Sequence, residues 1–209
     1  MIEQYFTAQR MSAYEPVCRE IATELIDAAI STDSDVEVMS ELATRFAARS
    51  QCTFLGWPDR LHDVLIQWTV RNQQAVRDSD RSELSRLARE FEEIVDEIID
   101  NRRDADANSS GDVTSSLIGQ HVHGRKLSSE ELSSILRNWT VGEIGTLSAS
   151  IGILLKHLAT HCELQSQLRR DASLLPTAID EILRVHNPLV SNRRVTTCPV
   201  KIGERQLGA

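Results

Sequence analysis

A few groups of polar residues stand at spacings that bear on chemistry. Glu181 and Arg184 lie three positions apart, one turn of a helix, where a carboxylate and a guanidinium can pair. On spacing alone such a pair is a solvated surface contact. Glu143 and Thr146 share the same spacing, among the glycines Gly142 and Gly145. His157 and His161, with Cys162 adjacent, resemble a zinc-ligand spacing but lack a general-base Glu between them. His121 and His123 beside Gly124 read as solvated imidazoles, and no metal site is assigned. Cys18, Cys52, Cys162 and Cys198 are scattered without metal or redox spacing, and none lies in a Gly-rich loop.

The elements that must position these groups are helices. From Arg10 to Ile30, Met11, Tyr14, Val17, Ile21 and Leu25 recur at helical spacing, and a polar loop over 31–35 follows. A second helix spans about Val38 to Leu55, where Ala43, Ala47 and Ala48 predict close packing and Gly56 with Pro58 stops the chain. A third begins after Asp59 with Leu61, Val64, Leu65 and Trp68. A fourth runs Leu84, Leu87, Phe91, Ile94, Val95, Ile98. Trp68 and Arg71 read as a core Trp and a solvated Arg before a pocket pair. Residues 104–112 form the most polar loop. Ser128 and Glu131 make a capping box that starts the longest helix, ending near Thr160; from Val141 it turns small and apolar on nearly all sides, which predicts burial all round. Cys162 to Arg170 is a short helix. Pro176 opens another, carrying Ile179, Ile182 and Leu183, which Pro188 ends. Residues 193–197 and 200–202 are extended and β-branched.

The composition excludes some functions. A net charge of -8 argues against nucleic acid, which needs a basic face. The most apolar run, Ile151 to Leu155, ends at Lys156 and is too short to span a membrane. Without a signal-peptide pattern, the expectation is a cytoplasmic protein with reduced thiols.

Glu181-x-x-Arg184, then Pro188, then Arg194 resembles the core signature of the cytochrome P-450 family, the haem-thiolate monooxygenases. Trp139 to Thr146 resembles that family's oxygen-binding helix. Leu158-Ala159-Thr160-His161-Cys162-Glu163-Leu164 resembles its His-Pro-Glu boundary, with Cys162 in place of Pro. Val200 to Ala209 resembles the hairpin after the core helix. The resemblance implies a mainly α, P-450-like helical bundle, present in part, with a small C-terminal β-hairpin and one partial domain over 1–209. The first ten residues look like the end of a helix. The family's Phe-x-x-Gly-x-x-x-Cys-x-Gly loop, which supplies the axial cysteine of the haem, has no counterpart in these 209 residues.

By that resemblance Gly142 and Gly145 leave room for haem and dioxygen, and Arg194 holds a haem propionate. Glu181 and Arg184 form a structural ion network, buried in the family. Val141, Leu189, Val190 and Ser191 line the pocket for a small organic substrate, and a ferredoxin-type partner supplies electrons. The family's acid–alcohol pair is altered here: with Gly142 aligned, Ile144 and Gly145 fall where the acid and first alcohol belong, Thr146 matches the second alcohol, and Glu143 stands one residue early. Glu143 and Thr146 are the candidate catalytic pair. The alternative is a non-catalytic helical remnant or interaction module that binds no haem by itself. Its apolar surface would be covered by a homodimer or a complementary chain, and a buried Glu181–Arg184 pair would lack its third partner.

Overall fold

The computed structural model describes residues 2–31, 35–104, 112–189 and 195–208, apart from the side chains of 103, 104 and 141. Ile2–Tyr5, expected to belong to the end of a helix, form a 3-10 turn. Thr7 then starts α1 (Ala8–Ile30) afresh, its hydroxyl accepting from the Arg10 amide at 3.3 Å. Only Ile21 of the apolar stripe on α1 is fully buried; Ile26 and Ile30 face outward.

The second helical segment begins as a wide π turn, Val38–Ala43, and tightens into α2 (Thr44–Leu55). Ala43, Ala47 and Ala48 are fully buried, so α2 lies close against the long α6 (Ser129–Thr160). Gly56 ends α2 at φ 71°, a left-handed turn that an L side chain resists. Next comes the helical hairpin of α3 (Leu61–Asp78) and α4 (Arg81–Asp104), joined by Ser79 and Asp80; the Asp80 carboxylate accepts from the Glu83 amide at 3.0 Å. Phe91 of α4 is sealed between Trp57 and Trp68, and the Trp68 indole donates to the Leu87 carbonyl at 2.9 Å. Trp68 is therefore core, as its spacing predicts. Arg71 pairs with Glu90 and, at 3.8 Å, with Glu83.

Asp112 caps α5 (Val113–Ile118), and the polar loop before it lies outside the described residues. A hairpin that the periodicity does not reveal follows, β1 (His121–Val122) against β2 (Arg125–Lys126), turning at His123 (φ 51°) and Gly124 (φ 79°). The capping box forms as read: the Glu131 amide donates to the Ser128 hydroxyl at 3.2 Å and its carboxylate accepts from the Ser128 amide at 2.9 Å.

The second half of α6 departs from the expected burial on all sides. Ile144 and Ser148 face the core, whereas Gly142, Glu143 and Leu155 are exposed. Its small residues therefore serve two different surfaces, a packed one that meets the π turn through Ser148 and Gly152 and an open one. The chain closes with α7 (Cys162–Arg170), a 3-10 turn over Ala172–Leu174, α8 (Leu175–Val185), and the hairpin of β3 (Val200–Ile202) and β4 (Arg205–Leu207). No helix among the described residues is long and apolar enough to cross a membrane.

Candidate functional site

The three glycines of α6 separate two roles. Each costs about 1 kcal/mol relative to Ala inside a helix, so each needs a local reason. At Gly152 the reason is packing, because a Cβ would run into the Met39 thioether of the π turn. A Cβ on Gly142 would meet nothing within 4 Å, and one on Gly145 would meet only the Gln73 amide nitrogen at 3.1 Å. Close helix packing thus explains Gly152 and neither of the others. Gly142 and Gly145 flatten an open wall.

Beside that wall α3, α4 and α6 enclose a groove of about 540 Å³ lined by Trp68, Asn72, Ser134, Asn138 and Gly142 among others. Trp68 and Asn72 sit four apart and share one face of α3, a spacing that marks them together with hindsight. Thr146 donates its hydroxyl to the Gly142 carbonyl at 2.6 Å, one turn back, and also lies 3.5 Å from the Glu143 carbonyl. Its oxygen keeps lone pairs for an outside donor. Partial desolvation raises the Glu143 carboxyl above its ordinary pKa even though the residue is exposed. No hydrogen bond joins the Glu143 carboxylate to the Thr146 hydroxyl.

The core signature looks different from its expected buried state. Glu181 accepts from Arg184 through two contacts of 2.7 Å, but the side chains are 60% and 69% exposed. The reason is the docking of α8, which turns Ile182 inward and leaves 181 and 184 facing water. The Arg184 hydrogen bonds hold the Glu181 carboxyl below its usual range. An exposed pair contributes little to stability, and the uncompensated buried charge expected for an incomplete network does not arise. Leu189 is about half exposed, its amide donating to Asn187 Oδ1 at 3.0 Å. Val190, Ser191 and Arg194 lie outside the described residues, as does the Val141 side chain.

His157 and His161 stack at 4.0 Å, and His186, the residue that follows α8, lies 5.4 Å from His157. His161 Nδ1 is 2.8 Å from the His157 carbonyl, to which it donates. Among the described residues no three His, Cys, Asp or Glu side chains are arranged to hold a metal ion. His121 and His123 are exposed on the first hairpin.

A haem, which the resemblance implies, would find room for a flat ring at Gly142, where a Cβ would meet nothing within 4 Å; the cysteines are the only thiolate donors among the described residues. Cys52 is buried, and burial pushes its thiol up to about 12. Cys18 is partly covered, 3.6 Å from Ser50 Oγ, and Cys162 and Cys198 are exposed on the surface. Thiol labelling at pH 8 is expected to modify Cys162 and Cys198 first and to leave Cys52 untouched until unfolding; early loss of the Cys52 thiol, read by mass spectrometry, would contradict this placement.

A long helix packed against several shorter ones, with one covered and one open face, makes this a mainly α architecture. Residues 49–209 match the family model for cytochrome P450, and the chain belongs to that family. It is 27% identical over 215 residues to cyclomarin C epoxidase of Salinispora arenicola, covering 100% of this chain and 53% of that protein. With 6-deoxyerythronolide B hydroxylase of Saccharopolyspora erythraea it shares 28% identity over 205 residues, covering 97% and 49%. The ligand-free structure of cytochrome P450 TbtJ1 superposes with a TM-score of 0.83 at 25% identity, covering 100% of this chain and 55% of that one. The fold alone is shared with Mycobacterium marinum cytochrome P450 CYP268A2, at a TM-score of 0.85 and 17% identity. The chain spans about half the length of the curated relatives it matches.

Proposed function

We propose that these 209 residues are one partial domain, the central part of a haem-thiolate monooxygenase that inserts an oxygen atom into a small organic substrate. The observation that carries this reading is the contrast along α6: Gly152 is filled by a neighbour, while Gly142 opens on empty space and Gly145 on a single amide. The relatives named as hydroxylases and epoxidases support oxygen insertion as the reaction class.

Haem, when bound, would supply the oxygen-activating redox chemistry, with electrons from a ferredoxin-type partner in the cytoplasm. Gly142 and Gly145 would form the wall against it, and Arg194 would hold a propionate. Val141, Leu189, Val190 and Ser191 would shape the substrate pocket. Thr146 keeps its hydroxyl on the helix, 2.6 Å from the Gly142 carbonyl, where it can pass or accept a proton without leaving the wall. Glu143, its carboxyl raised by desolvation, is a proton source on the same stretch. In a haem-loaded protein that includes the thiolate loop, Thr146→Ala should keep substrate binding while product per dioxygen consumed falls about tenfold or more, the lower end of acid–base contributions. An unchanged ratio would remove Thr146 from proton delivery.

A second reading is supported by the exposed apolar residues Ile26, Ile30 and Leu155. In it the chain is a non-catalytic helical module whose apolar surface is covered by a second copy or a complementary chain.

A further inference from the structure

The far end of α6 carries a group of side chains that the wall at Gly142 does not use. His157 and His161 stand four apart across the end of the helix, roughly 22 Å along it from Gly142. Their rings lie face to face, 10° from parallel and 4.0 Å between centres. A third imidazole comes from a different element: His186, which caps α8, lies 5.4 Å from His157, ring centre to centre. The tautomer of one member is fixed. His161 Nδ1 donates to the His157 carbonyl at 2.8 Å, so its Nε2 carries the lone pair, and no described residue bonds to that nitrogen. One ring nitrogen pinned to a carbonyl with the other left open is the usual condition of a histidine that binds metal.

The spacings suit a single ion. With metal–nitrogen bonds of about 2.0–2.1 Å, the ring centres of two histidines on one ion stand about 5 Å apart, between the two distances found here. The three rings are not arranged around an ion as they stand. His161 and His186 are exposed and free to turn, and closing the set requires the stacked pair to open by about 1 Å.

We propose that His157 and His161 chelate a divalent transition-metal ion at the end of α6 and that His186 completes the site, so that the ion ties α8 to α6. Neutral imidazole is the ligand type that suits zinc, nickel and copper, whereas magnesium and calcium take oxygen. The role is structural. Ile182 is the only buried side chain of α8, and the Glu181–Arg184 pair on the same helix faces water, so an ion at His186 adds a second fastening to an element held by one residue. The site is separate from the haem wall, and the ion binds whether or not haem does.

Titration calorimetry of the 209-residue chain with nickel(II) chloride, under a non-thiol reductant, tests the chelate. One nickel ion per chain should bind saturably, and magnesium chloride should not bind. His157→Ala and His161→Ala should each weaken nickel binding more than tenfold and His186→Ala about tenfold, since even a supporting partner of a ligand is worth about that much. His123→Ala, on the other exposed imidazole pair, and Cys162→Ser should leave it unchanged. Loss of binding in either of those two, with His157→Ala still binding, would place the ion elsewhere and overturn the proposal, as would the absence of saturable nickel binding.

The tie to α8 has its own readout. His186 is exposed, so its replacement leaves the packing of α8 intact. Hydrogen exchange followed by mass spectrometry should show the last amides of α8, among them the His186 amide that donates to the Ile182 carbonyl at 2.9 Å, slowed about tenfold by nickel in the unaltered chain and not in His186→Ala. The factor matches the loss of affinity because the two effects are linked. Equal exchange with and without nickel, in a chain that binds it, would show that His186 is no ligand and that the ion does not join the two helices.

Discussion

Replacing Phe91 by Ala is expected to cost about 3–5 kcal/mol, the range for removing a fully buried ring that its neighbours cannot replace. Phe91 is 0% exposed and lies 5.3 Å from Trp68 and 6.3 Å from Trp57, ring centre to centre. Those indoles are held elsewhere, Trp68 by the Leu87 carbonyl and Trp57 by the Thr114 hydroxyl at 3.0 Å, which in turn donates to the Leu55 carbonyl at 2.7 Å. Tethered rings cannot close on a cavity, so the loss should fall in the upper part of the range. The midpoint of thermal unfolding should drop by roughly 2–4 °C per kcal/mol at this chain length. A drop of only a few degrees would show that this core is plastic. The site depends on the same cluster, because Trp68 also lines the groove beside Gly142.

The second large effect is expected at Gly56→Ala, about 2–4 kcal/mol, since two penalties combine there. At φ 71° an alanine bears the cost of a left-handed backbone. Its Cβ would also collide with the Asp112 side chain. Asp112 cannot give way freely: it accepts the Ser115 amide at 2.8 Å as the cap of α5 and faces Arg102 at 3.5 Å, while Arg102 donates to the Gly56 carbonyl. Both members of that pair are 16% exposed, so the lock joining α2, α4 and α5 is largely shielded from water. Gly142→Ala is the internal control, since it has ordinary helical backbone and open space around it and should be neutral or slightly stabilising. Equal denaturation midpoints for the two variants would contradict this account of what the glycines do.

Local rules made much of the chain legible. Ser128 and Glu131 mark the start of α6 because a capping box is complete within four residues, and the α4 stripe shows where Phe91 must point because one helix face repeats through Leu87, Val95 and Ile98. Legibility ends where the partner of a residue lies far along the chain. An apolar stretch from Val141 onward predicts burial on all sides, yet Gly142, Glu143 and Leu155 are exposed. Nothing in the sequence tells Gly152, filled by Met39, from Gly142, filled by nothing. The Gln73–Gly145 approach joins residues 72 positions apart and has no periodic signal. The β1–β2 hairpin hid for the opposite reason: its strands are two residues long and its turn, His123-Gly124, replaces the more familiar Asn-Gly. Glu181 and Arg184 pair as their spacing requires, but whether the pair is buried depends on what covers α8, which helical spacing does not encode.

We propose that α6 carries the ligand-facing wall of a haem site and that none of Cys18, Cys52, Cys162 and Cys198 is its thiolate ligand. The most direct test is the absorption spectrum of the purified 209-residue chain mixed with haem, reduced and exposed to carbon monoxide, alone and together with a family segment bearing the Phe-x-x-Gly-x-x-x-Cys-x-Gly loop. The account predicts no Soret band at the thiolate-ligated position from the chain alone, and such a band once the loop is supplied. A thiolate-type band from the chain alone would mean that Cys18, Cys52, Cys162 or Cys198 serves as the ligand and would contradict the account. So would the absence of any haem band when the loop is present, because the open face of α6 would then not be a haem wall.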